Sequence, residues 1–129
     1  MNKPKSGDAL DFEIDFYERV LQKKPDFVDA LLPLAEAYTR KGLHEKGLII
    51  DEQLAKLCPD DPEVHYNLAC SYALTGQCDL AAESLDAAIN LGYRDFKWMA
   101  QDPDLKNLRL HAEYKKIRAK VRELQVKAR

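Results

Sequence analysis

Apolar residues recur along the chain every three to four positions, and the pattern then repeats at long range. Leu31, Leu34, Ala35 and Tyr38 make one such stripe, and Leu68, Ala69 and Tyr72 make another. This spacing places each set on one face of an α-helix. Displaced against itself by 34 residues, the chain sets Leu34 on Leu68, Ala35 on Ala69 and Tyr38 on Tyr72. The same displacement sets Pro25 on Pro59, Gly42 on Gly76 and Leu57 on Leu91. Pro, Gly and Tyr are individually uncommon, so their coincidence at one displacement marks a structural repeat.

Start and stop signals divide each repeat into two helices. Gly42 and Gly76 follow the first helix, where a residue at positive φ commonly ends it. In Pro59-Asp60-Asp61-Pro62-Glu63, Asp60 or Asp61 can cap the next helix and Pro62 can occupy its first turn. Asp26 with Asp29 marks the corresponding start in the first repeat. Pro33 falls inside that repeat's first helix, deletes one backbone donor and is expected to bend it.

The residues now resemble the tetratricopeptide repeat family. Leu31, Leu34-Ala35, Tyr38, Gly47, Leu54 and Pro59 follow its signature in the first unit. His65, Leu68-Ala69, Tyr72, Ala81, Leu85 and Ala88 follow it in the second. Asp51 departs from the signature at a position that takes a large apolar residue, and Tyr93 replaces the closing Pro. The resemblance implies an all-α fold, a right-handed superhelix of antiparallel helix pairs, in one domain covering residues 1–129. Its parts are a half-repeat helix at 8–25, repeat 1 at 28–61, repeat 2 at 62–95 and a closing segment with a capping helix at 96–128.

A helix pair cannot bury its apolar stripe alone, so the ends of such an array need covers. Leu10, Phe12, Ile14, Phe16, Tyr17, Val20 and Leu21 give the first helix apolar groups on more than one face, part of which packs on repeat 1. After Gly92, two turns and a short helix precede a final helix whose seam is Leu110, Tyr114, Ile117, Val121 and Leu124. Trp98 is read as closing this segment together with Phe96, Met99 and Leu105, ahead of a role as a partner anchor. The segment, with Gly92-Tyr-Arg-Asp-Phe96 and Asp102-Pro-Asp-Leu-Lys-Asn-Leu-Arg109, also looks like the tail of many bacterial tetratricopeptide proteins of undefined role.

Composition narrows the functional classes. The 129 residues are 46% hydrophobic and 33% charged, which suits a water-soluble domain rather than a disordered or membrane-embedded chain. No apolar run is long enough to span a bilayer, and the first eight residues lack the apolar core of a signal sequence. Cys58, Cys70 and Cys78 are too few and too odd for a disulfide framework and read as structural thiols, so a reducing, cytoplasmic setting is expected. His44, His65 and His111 hold no metal-ligand spacing, and no phosphate loop or nucleophilic triad appears. No enzyme activity, catalytic residue, cofactor or metal is expected.

What remains is recognition. By resemblance, the first helix of each pair lines a concave groove, to which Leu32, Glu36 and Arg40 contribute from repeat 1 and Glu63, Tyr66, Asn67 and Cys70 from repeat 2. The groove is expected to take a helix or extended segment of a protein. A carboxylate clamp is not expected, because Leu32 and Glu36 stand where the family's clamp has Lys and Asn, and only Asn67 matches. A protein-binding adaptor is therefore the principal reading.

Two alternatives rest on other surfaces. Residues 106–129 hold nine Lys or Arg against two Glu, a balance of +7, while the remainder carries −9. Lys115, Lys116, Arg118, Lys120 and Arg122 thus form a basic face that a nucleic acid or an acidic protein surface would meet, although a merely solvated face is the commoner outcome. The other alternative is a subunit of a homo- or hetero-oligomer, the chain itself being a monomer or a weak dimer.

Overall fold

The computed structural model describes residues 6–128. Among these the secondary structure is helical: α1 (Ser6–Lys23), α2 (Val28–Lys41), α3 (His44–Leu57), α4 (Pro62–Leu74), α5 (Cys78–Asn90), α6 (Phe96–Met99), α7 (Lys106–Arg109) and α8 (Tyr114–Lys127), with a 3-10 turn at Pro103–Leu105. The chain divides into two compact units between Cys58 and Pro59.

In the first unit α2 packs on both α1 and α3. Leu34, Ala37 and Tyr38 bury their stripe against Ile14 of α1, flanked by Leu10, Tyr17, Leu21 and Ile50. Tyr38 also donates a hydrogen bond to Glu18 at 2.7 Å, tying α2 to α1 through its polar tip. Helix α3 lies against α2 at Gly47, where a Cβ would make ordinary contact with Thr39 Oγ1 at 3.4 Å and the Ala35 carbonyl oxygen at 3.6 Å. The helix α2 continues through Pro33. It ends at Gly42, whose φ of 84° turns the chain so that the Leu43 N–H returns to the Tyr38 carbonyl at 2.8 Å. The expected cap Asp26 does not cap: Phe27 holds that position without a side-chain bond, and Asp26 instead accepts from Gln53 of α3 at 3.0 Å.

In the second unit Asp61 caps α4 by accepting from Glu63 N at 2.9 Å and Val64 N at 3.4 Å, with Pro62 in the first turn. Here the start signal works as the sequence implies. The α4 and α5 pair buries one continuous apolar cluster, to which Met99, Leu105, Leu108, Tyr114 and Ile117 of the closing segment are added. Trp98 is not among them; it stays 44% exposed, and Met99 takes the inward position. Leu110 likewise leaves the expected seam. It caps the end of α7 and is 80% exposed, while the turn through His111 delays α8 until Tyr114.

The closing segment keeps the 34-residue register. Displacing α4 by one repeat gives 96–108, the span of α6, the 3-10 turn and α7 together, and displacing α5 gives 112–124, the span of most of α8. Asp95 caps α6 through Trp98 N at 3.2 Å, in register with Asp61. Asp102 then takes the place held by Leu34 and Leu68, and Pro103 follows it. The segment is therefore a third helix pair whose first helix is broken at Asp102, which is extended (ψ 117°) ahead of Pro103 and starts a new turn.

Candidate functional site: the exposed faces of the first helices

The stripe that each first helix buries dictates what it leaves outside. On α2, burial of Leu31, Leu34, Ala35 and Tyr38 leaves Leu32, Glu36 and Arg40 exposed at spacings of four. These three lie on one side of the helix. Glu36 faces Arg40 at 4.0 Å, and Arg40 is also held by Glu13 of α1 at 3.0 Å. The strip presents one leucine, one carboxylate and one guanidinium, and both charged groups already have neighbours.

On α4 the proposed set separates into two classes. Glu63 and Asn67 are exposed, whereas Tyr66 and Cys70 are buried. The reason is the broken helix pair. Its Asp102 lies over them, accepting from the Tyr66 hydroxyl at 2.6 Å and from the Cys70 thiol at 3.8 Å. The Tyr66 ring stacks on Tyr93, with centroids 4.3 Å apart and planes 10° from parallel. Tyr66 and Cys70 thus support the exposed strip from beneath.

Asp102 is 4% exposed and well supplied with donors. Its second carboxylate oxygen accepts Asp104 N at 3.0 Å, and Arg109 bonds its backbone carbonyl at 2.8 Å. Burial, followed by the bond to Asp102, drives the Tyr66 hydroxyl far above its ordinary value. Burial pushes Tyr93 up to about 12, against an opposing hydrogen bond with Tyr66. Both phenols stay protonated, Tyr66 donating to Asp102; neither is poised for proton transfer near neutral pH. Sequence reasoning missed Asp102, because Asp before Pro reads as a local cap and gives no sign of a partner thirty-six positions away.

The basic face is partly consumed within its own unit. Lys120 is held by Asp86 and Asn90 of α5, Lys116 by Glu113 at 3.4 Å, and Arg118 lies 5.3 Å over the Tyr114 ring. Lys115 and Arg122 are exposed. The thiols Cys58 and Cys78 are half-buried and Cys70 buried, none of the three in a disulfide, and burial with Asp79 nearby pushes the Cys78 thiol up. Among the described residues no group of three or more His, Cys, Asp or Glu could hold a metal ion, and no helix is long and apolar enough to cross a membrane.

No family model matches the sequence. A curated chloroplastic protein of Arabidopsis thaliana is 30% identical over 100 residues, which make up 75% of this chain and 28% of that protein. The chain thus spans little more than a quarter of that relative's length. Among solved structures, the crystal structure of MamA superposes with a TM-score of 0.65 at 22% identity, covering 90% of this chain and 67% of that one. With the 34-residue register and the helix pairs described above, this likeness gives the chain an all-α, tetratricopeptide-like helical-repeat fold.

Proposed function

We propose that the chain is a tetratricopeptide-repeat adaptor without enzyme activity, which binds a helix or extended segment of a partner protein on the exposed faces of its first helices. The observation that carries this reading is the separation on α2 and α4 between a buried stripe and an exposed strip. Leu32, Glu36, Arg40, Glu63 and Asn67 project from helices whose other faces are fixed by packing. A rigid helix that displays a row of mixed apolar and polar groups suits helix or strand recognition. It also costs little ordering entropy on binding. Pairing of Glu36 and Arg40 within the unit favours a partner segment with a small apolar anchor for Leu32 over a highly charged one.

The test is capture of a partner from the source cell by the wild-type chain beside Leu32→Asp and Asn67→Lys. Both positions are exposed, so each variant is expected to keep its helical circular dichroism and melting temperature. Loss of the captured protein with either variant supports the reading. Undiminished capture by both overturns it.

A further inference from the structure

The helix α1 carries a face that no described residue of its unit covers. Phe12 is 74% exposed and Phe16 53% exposed, although both sit on a well-formed helix of 18 residues. The 34-residue register shows that this exposure is abnormal at Phe16. Phe16 corresponds to Ile50, which packs against the core of the first unit, and to Ser84, which is buried. In those repeats the preceding first helix lies alongside. Large exposed apolar groups clustered on one face mark an interaction surface.

The same face specifies its occupant. Along it the two rings, Phe12 and Phe16, come first and Arg19 and Lys23 follow toward the C-terminal end, with Asp15 on the rim. A second copy of α1 laid antiparallel about a dyad midway between Phe16 and Arg19 sets Arg19 of each helix over Phe16 of the other, and Lys23 over Phe12. Each ring then meets a cation, an attraction that strengthens as water is excluded. Asp15 of each copy meets Arg19 of the other, extending the 3.0 Å pair that they already form within one helix. A parallel arrangement would set cation against cation. We propose that this face is an isologous dimer contact, in which α1 of one copy covers Phe12 and Phe16 of another.

One antiparallel helix pair is a small interface, so a weak, micromolar dimer is expected. Sedimentation of the full chain across micromolar concentrations tests it. The wild type should pass from the 14.8 kDa monomer to a dimer as concentration rises. Phe16→Asp should remain monomeric throughout, with an unchanged thermal melt because the side chain lies outside the core. Asp15→Arg should weaken the dimer at least tenfold, and the double change Asp15→Arg with Arg19→Asp should restore it. A wild type that stays monomeric, or a Phe16→Asp variant that dimerises as the wild type does, overturns the proposal. Failure of the double change to restore association overturns the antiparallel pairing. Leu32→Asp and Asn67→Lys should leave the dimer intact, so the dimer contact and the partner-binding strip fail or survive separately.

Discussion

Burying a carboxylate is unfavourable unless donors replace its water, and Asp102 draws them from Tyr66, Cys70 and Asp104. Changing Tyr66→Phe removes the shortest of these bonds while keeping the ring stacked on Tyr93. The expected cost is about 1–3 kcal/mol, the penalty for a buried group left short of a partner. The same experiment has a pH arm. Tyr66 and Tyr93 are both raised above the ordinary phenol value of 10.0, Tyr93 to about 12. Between those values the folded state holds protons that the unfolded chain has lost, so their contribution is complete below pH 10 and is lost as pH rises toward 12. Melting temperatures from pH 8 to 11.5 should therefore fall above pH 10 in the wild type. In Tyr66→Phe they should start lower and fall less steeply. None of this was legible in the sequence, where Tyr66 and Cys70 read as groove residues by register alone. Asp51, which the repeat pattern marks as anomalous, is buried at 4% exposure, so the pattern located the site correctly but not the polar solution adopted there.

Helix boundaries were far more legible, because they depend on local chemistry. Gly42 and Gly76, the expected stops, hold φ values of 84° and 78°. Asp61 with Pro62 starts α4 as that dipeptide should. The exceptions occur where a distant contact competes. Asp26 leaves its cap for Gln53, and Leu110 leaves its seam because the chain turns before α8. Two glycines permit a contrast at this scale. Gly42→Ala meets no atom within 4 Å yet must hold a positive φ, and is expected to destabilise by about 1 kcal/mol. Gly47→Ala lies within an α-helix, and its new methyl would sit at ordinary contact distance from Thr39, Ala35 and Tyr38. It should be neutral or stabilise by up to about 1 kcal/mol, through helix propensity. Urea denaturation of the two variants side by side checks both signs.

At the scale of the whole molecule, the two units differ in what they bury. The second holds a continuous cluster running from Tyr66 through Leu85 and Leu105 to Ile117, whereas the central cluster of the first comprises Ile14, Leu34, Ala37 and Tyr38. Small units with little buried apolar area are marginal on their own. A fragment of residues 59–129 is therefore expected to keep its helical circular dichroism and melt cooperatively. A fragment of residues 1–58 should lose most of its helicity at the same temperature. The broken first helix of the third pair bears on how such a chain grows over generations. Repeat arrays lengthen when a stretch of gene is copied in frame, and each new unit must bring its own leucine ridge to pack. A copy of residues 62–95 would inherit that ridge with Leu68. A copy of residues 96–127 would inherit Asp102 and Pro103 in its place, so growth by duplication is open to the complete unit and closed to the last one.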